Sequence, residues 1–581
     1  ALPGGDPLAA ALAAGETPAP DMVAAAGESG GMRPAAAVSC LGIVIVGLVL
    51  GVALAQRSQL INLTPLPHAP AVLAAKAREV IEQAGYVDPA VDVAFGFRAA
   101  SDYLDHLKSD SSPNRWQHLG SGQPAAMRFW YRQSPDYLGP ISFFGGGGWI
   151  GRDDPPFNLS DMVYLVLDTQ GRLLRFEVIP PQHEEVDAPA ASGAPDWSVL
   201  FEKAGLDSAN FNPAAPAWTP PVFADRRIAW EGAYPDRPDI PLRIEAAAYG
   251  GKPVYFELIS PWTKPQRMVQ DSSTAAEKAS NAIGVALFLL VLLGSCFLAR
   301  RNLRLGRGDR RGASRLALFV LVATMLSWLF RASHIPTFYE LGMFVIATAW
   351  ALFITAWVWM LYVALEPYVR RRWPHALISW SRLLAGRFRD PLVGRDILIG
   401  AAFGILSGLV GHFRYVASEW LGRAPPIPMR AGISELLGMR RVAASFLSDL
   451  PTDVFLAMGF FFVLFVLRVV LRRPLPAAAA FVAIFAVNSL LTADDPLLSV
   501  ISAALSMSIF VIVLLRFGLL AQVACLFVGT FFFSYPLTYH IGAWYAGPAI
   551  FAFLSVAGIA AYGFHTALAG RSLFRDELLD A

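Results

Sequence analysis

Ten apolar runs, each about 18 residues long or longer, decide what this chain can be, because that is the length a helix needs to cross a hydrocarbon core of ~30 Å. They lie at 38–55, 282–299, 314–332, 341–365, 396–412, 453–471, 476–493, 497–515, 517–535 and 546–566. Backbone inside lipid must satisfy its own hydrogen bonds, so each run predicts a helix. The first follows 37 mostly small and polar residues rather than a short basic leader, and reads as a retained anchor. The other nine predict a polytopic bundle, with tight turns at Asp494-Asp495-Pro496 and Arg516–Gly518. Composition agrees: 55% of residues are hydrophobic and 16% charged, against about 25% charged in soluble domains.

Arginine placement orients the runs, because short cytoplasmic loops collect Lys and Arg. Seven arginines follow the second run between Arg300 and Arg315, and seven follow the fourth between Arg370 and Arg395. Arg468, Arg472 and Arg473 end the sixth run, and Arg571 and Arg575 follow the tenth. The opposite loops are lean. The exception is 413–452, which holds Arg414, Arg423, Arg430, Arg440 and Arg441, and whose 430–448 stretch predicts an amphipathic helix on the outer surface. The pattern predicts a multi-pass protein of the bacterial inner membrane with both termini cytoplasmic. The expected organisation is a cytoplasmic, disordered juxtamembrane linker (1–37), an anchor helix (38–55), extracytoplasmic units at 56–190 and 191–278, a bundle of about nine helices (279–570) and a cytoplasmic tail (571–581).

Between the first two runs the character changes. MVYLVLDTQGRLLRFEVIPP (162–181) alternates at period two around a Gln170–Gly171 turn, and RIEAAAYGGKPVYFELISPW (243–262) does so around Gly250–Gly251. A short helix ending in Ala84–Gly85 or Ala204–Gly205 precedes each hairpin, and an aromatic strand closed by a proline, 128–138 or 227–239, lies between. Both halves therefore read helix, strand, hairpin, an α+β domain made by internal duplication with a core in each half. This order, with its D-x-x-G-x-hydrophobic turn, is similar to PepSY-type modules. Trp116, Trp130, Tyr131 and Trp149 are candidates to line a ligand cleft in this domain, although core packing explains each of them as well.

Several motifs invite chemistry. Gly146-Gly147-Gly148-Trp149-Ile150-Gly151 matches G-x-G-x-x-G, but Pro155-Pro156 follow where a dinucleotide site needs a helix. His183-Glu184-Glu185 lacks the second histidine of a helical zinc pair. His412, His540 and His565 lie near span ends. Asn488 and Arg468, inside apolar runs, predict inward-facing hydrogen bonds. Ser434–Arg441 (SELLGMRR) loosely resembles the glutamate motif of CAAX-type membrane proteases, but it has one glutamate and no histidine occurs from 413 to 539. Cys40, Cys296 and Cys525 fall in apolar runs with no metal-cluster spacing and predict packed thiols. No catalytic residue, cofactor or metal site is expected, and the net charge of +2 does not argue for nucleic acid.

The segments 1–28, 112–125 (SPNRWQHLGSGQPA), 196–207 (DWSVLFEKAGLD), 238–262 and 542–574 carry a resemblance spanning the chain. It resembles the non-catalytic C-terminal portion of bacterial membrane-anchored serine/threonine protein kinases. The resemblance implies a fragment, beginning at Ala1 rather than Met, whose parent carries an N-terminal kinase domain that would use ATP and Mg. No H-R-D, D-F-G or A-P-E motif occurs in this chain, so it has no phosphotransfer machinery of its own. The implied function is membrane anchoring and signal sensing. The expected partners are the lipid bilayer, an extracytoplasmic ligand, the parent's kinase domain and a second copy in a homodimer. The alternative is a polytopic transporter or lipid-handling protein with an accessory domain, though symmetric repeats within the spans are not evident.

Overall fold

The computed structural model describes residues 18–25, 31–142, 146–183, 195–268, 273–493 and 495–571. The short helix α1 (Pro20–Ala25) precedes the first long helix, α2 (Pro34–Ser58). A sheet domain follows: α3 (Pro70–Gln83), β1 (Asp92–Ala99), α4 (Ser101–Lys108), β2 (Met127–Ser134), β3 (Val163–Asp168), β4 (Leu173–Val178), α5 (Ser198–Lys203), β5 (Asn212–Ala214), β6 (Arg226–Tyr234), β7 (Arg237–Tyr249) and β8 (Lys252–Ile259). The remainder is helical: α6 (Ala275–Arg304), α7 (Arg310–Arg331), α8 (Tyr339–Arg372), α9 (Ile378–Leu384), α10 (Pro391–Trp420), α11 (Met439–Leu471), α12 (Pro474–Thr492), α13 (Pro496–Arg516), α14 (Leu519–Ser534) and α15 (Ala546–Leu568).

All ten apolar runs are helices. Among the described residues, nine are long and apolar enough to cross a membrane: α2, α6, α7, α8, α10, α11, α12, α13 and α15. The tenth, α14, has only 16 residues, about 24 Å at 1.5 Å per residue, short of a full crossing. It is set inside the bundle against α10, the most buried of the long helices. Small residues make that approach possible. Gly400, Gly404 and Gly408 form one stripe of α10, and a Cβ on Gly404 would stand 2.5 Å from the Cys525 carbonyl oxygen.

The expected surface helix at 430–448 is not there. Residues 435–437 form one 3-10 turn, and Met439 starts α11, which runs unbroken to Leu471. Two of the five arginines that break the loop pattern cap a neighbour. Arg440 donates to the carbonyls of Phe330 (2.8 Å) and Ala332, and Arg441 to that of Arg331 (2.7 Å). These are carbonyls at the C-terminus of α7, which no turn of that helix can satisfy. Asn488 behaves as expected and accepts the Ser280 hydroxyl at 2.8 Å. Arg468 lies over the Trp373 ring at 5.9 Å.

Of the segment 1–37, residues 18–25 and 31–37 are described, and they contact the bundle. Val23 is 1% exposed, and Arg382 donates to the Ala24 carbonyl at 2.9 Å. The Met32 amide donates to the Ala567 carbonyl at 2.7 Å. The N-terminal segment is thus held on the end of the bundle opposite the sheet, by the α8–α10 connection and the C-terminus of α15.

Each half of the sheet domain is a helix followed by a four-strand meander, and both belong to one eight-stranded antiparallel sheet, ordered β1-β2-β3-β4-β8-β7-β6-β5. The order is palindromic, and the halves meet where β4 pairs with β8, Phe176 opposite Phe256. The expectation of a core in each half is corrected by this pairing. α3 and α5 lie on the same side, and Phe129, Phe176, Leu200, Phe201 and Phe256 belong to one continuous core. The two helices end alike: Gly85 (φ 92°) and Gly205 (φ 69°) take the left-handed conformation, and the next amides, of Tyr86 and Leu206, reach back to Ile81 and Phe201.

Phe176→Ala should cost about 3–5 kcal/mol of sheet-domain stability. Because the core is shared, hydrogen exchange measured on the intact protein should quicken in both α3 and α5. Acceleration confined to α3 would mean separate cores.

Candidate functional site

The sheet domain meets the bundle through a polar joint. Gln59, wholly buried, donates to the carbonyls of Phe532 (3.3 Å) and Tyr535 (3.1 Å), and its own carbonyl accepts from the Leu537 amide (2.9 Å). Beside it, the Leu60 amide donates to Met429 and the Met429 amide to Ser58, a two-bond β-bridge. His412 is buried against the same place, with Ser58 Oγ 2.6 Å from its Nδ1 and the Phe532 carbonyl 3.1 Å from its Nε2. Trp544 completes the joint, donating to the Leu66 carbonyl at 2.8 Å and stacking on Phe97.

One face of the sheet packs on α3 and α5. The other is polar and forms the floor of a cleft of about 1220 Å3, beyond the usual ~300–1,000 Å3 of small-molecule sites. The cleft lies across the seam between the halves. Arg98, Arg128 and Arg175 rise from β1, β2 and β4, and Tyr255 and Glu257 from β8. Arg152 closes one side and Trp218 the other, with Lys264 and Arg267 at the rim.

Both walls are built, not draped. Arg132, buried beneath the first, donates to the carbonyls of Gly151 (3.2 Å), Arg152 (3.0 Å), Pro155 (2.6 Å) and Pro156 (2.9 Å). It thereby converts an irregular, proline-rich segment into a fixed carrier for Arg152. The second wall is tied down by Glu245, which accepts the Ala217 amide at 2.9 Å, and by Arg267, which donates to the Pro220 carbonyl at 3.1 Å.

Charge in the cleft is lopsided. Six cationic side chains line it (Arg98, Arg128, Arg152, Arg175, Lys264, Arg267) against three acidic ones (Asp102, Asp153, Glu257). Arg128 pairs with Asp102 at 3.0 Å, and Arg175 with Glu257 at 2.8 Å and with Glu177. Burial works against the Arg175 charge, but Glu257 and Glu177 outweigh it and raise its pKa. Arg98 differs. It stands directly opposite Arg128 in the β1–β2 register, a like-charge placement that disfavours pairing. Among the described residues it has no hydrogen-bond or ion-pair partner. Burial and then the charges of Arg128, Arg152 and Arg175 lower its pKa, with Tyr164 opposing them.

None of the four aromatic candidates from the sequence lines this cleft. Trp116 is buried and donates to the Pro425 carbonyl at 3.0 Å, helping to dock the domain on the bundle. Tyr131 is in the shared core. Trp130 lies across Gly96 on the neighbouring strand. Trp149 packs under Arg331 at the end of α7, 5.0 Å from ring centre to guanidinium. The glycine run beside it docks on the bundle. Gly147 and Gly148 have φ of 68° and 91°, the Gly148 carbonyl accepts the Ser333 amide at 2.7 Å, and a Cβ on Gly148 would stand 2.7 Å from that of Ala332. Of the histidines, His412 serves the joint, while His565 is at the opposite end of the bundle. Glu435 is buried and accepts from Ser445 at 2.6 Å. His183 is described but Glu184 and Glu185 lie outside the described residues. Among the described residues no group of His, Cys, Asp and Glu could hold a metal. Sequence reading missed the arginine cluster because its five members come from five separate segments.

No protein-family model, curated protein or solved structure matches this chain.

The pairing pattern predicts opposite effects for two arginines. Arg175→Met should destabilise the domain by about 3–5 kcal/mol, because it leaves the buried Glu177 with only the longer Arg152 contact and the half-buried Glu257 without its counter-charge. Arg98→Gln should leave the unfolding midpoint unchanged or raise it, because it removes like-charge repulsion. Thermal unfolding of the two purified variants checks both signs.

Proposed function

We propose that this chain is the membrane-anchored, ligand-sensing portion of a receptor-like bacterial serine/threonine protein kinase. In this reading the sheet domain lies outside the cytoplasm, each of its halves a PepSY-like unit. Both chain ends face the cytoplasm across the inner membrane, and the catalytic domain, with its ATP and Mg, precedes residue 1. The arginines concentrated at the end of the bundle away from the sheet support this orientation. One observation carries the reading: a large cleft sits on a domain joined to the bundle by buried polar contacts, while the bundle's other end grips the segment leading to the N-terminus. A ligand signals only if it binds two states differently, and a fixed joint is what lets cleft occupancy bias the far end. Ser101→Trp, which fills the cleft from the start of α4, should abolish the kinase response in cells at unchanged membrane level. An intact response would overturn sensing through the cleft.

A second reading, transport, is favoured by Asp453. This aspartate of α11 is 3% exposed and accepts the Thr530 hydroxyl at 3.2 Å, one turn from Asp449, which accepts from Tyr535 at 3.2 Å. Ionisable groups at such depth often mark ion pathways. Solute uptake by proteoliposomes that is lost in Asp453→Asn would establish it, and its absence would leave those carboxylates as packing contacts.

A further inference from the structure

Resting on the reading of the cleft as a ligand site, we propose that it takes an organic anion, whose phosphate or carboxylate is held by Arg98, Arg128 and Arg152 and whose apolar body lies against Trp218. Three observations converge. Six cations against three anions leave the lining with an excess of three positive charges. The excess is local, because Asp102 answers Arg128, Glu257 and Glu177 answer Arg175, Glu177 and Asp153 lie 3.5 Å and 3.8 Å from Arg152, and no described side chain answers Arg98. An arginine half-buried beside another arginine is disfavoured, and an anion between them turns that repulsion into charge-assisted hydrogen bonds. Guanidinium forks bind phosphate and carboxylate oxygens in pairs, and Arg132 holds the Arg152 backbone beside the cleft by donating to its carbonyl.

The opposite wall supplies the second half of the assignment. Trp218 is half-buried, lines the cleft, and has no ring partner among the described residues. Its loop is tethered through Glu245 and Arg267, so the indole is presented rather than tucked away. An apolar face across from a cationic cluster suits a molecule with a charged head and an uncharged body, and disfavours a bare inorganic ion or a neutral sugar.

The test uses the full chain in lipid nanodiscs, with phenyl phosphate and inorganic phosphate as probes in isothermal titration. Phenyl phosphate should bind saturably and weaken as sodium chloride is raised. Arg98→Gln should reduce its affinity at least about tenfold, the loss of one charge-assisted contact, with Arg98→Lys between the two. Trp218→Ala should weaken phenyl phosphate and leave inorganic phosphate unaffected. Equal binding by wild type and Arg98→Gln, or no saturable binding of either probe, would overturn the assignment. If that failure occurs while Ser101→Trp still abolishes the cellular response, the sensor reading stands and the ligand is not an anion. If Ser101→Trp is also silent, both fall.

Discussion

At the centre of the joint between the sheet domain and the bundle is a buried amide, Gln59, and the need for it follows from how the bundle is made. Helix α14 ends before it has crossed a bilayer's thickness, so its last carbonyls are released among buried side chains, where unpaired polar groups are costly. Gln59 and His412 take up those carbonyls from the side, and Gln59 then holds the departing chain at Leu537. The short helix can sit so deep because the glycine stripe of α10 lets two backbones nearly touch. The placement of the domain thus traces back to small residues in the middle of the bundle.

The two faces of the sheet show a division between groups that hold the fold and groups left over. On the helix side, Phe176 and Phe256 stand opposite each other across β4 and β8 within one core. On the cleft side, most charges are neutralised in pairs, and the irregular walls are fastened by backbone hydrogen bonds from Arg132 and Arg267. Arg98 fits neither pattern.

Much of the architecture was legible in local sequence. Apolar run length gave all ten helices, and the Gln170–Gly171 and Gly250–Gly251 turns gave two hairpins in place. The Ala-Gly helix ends disclosed the duplication. What escaped has no local signature. Strand β5 is three residues long and contains Pro213, and β1 carries Gly96 at its middle, where Trp130 from the next strand covers the missing side chain. The joining of the halves depends on β4 meeting β8 at a distance of about eighty residues, which no periodicity reports. The arginines in 413–452 misled because a charge near a membrane can cap a helix as readily as it can mark a side. The aromatic candidates pointed away from the cleft because tryptophan and tyrosine are as useful in docking and core packing as in binding.

The central claim is that the sheet domain and the bundle move as one body through the joint at Gln59. The direct measurement is an electron–electron distance between spin labels at Val87 on the sheet domain and Leu475 at the far end of the bundle, both well exposed, with the native cysteines replaced. A fixed joint predicts one narrow distance distribution that broadens in Gln59→Ala. A broad distribution in the unaltered joint would contradict it, and the cleft would then have no mechanical route to the other side.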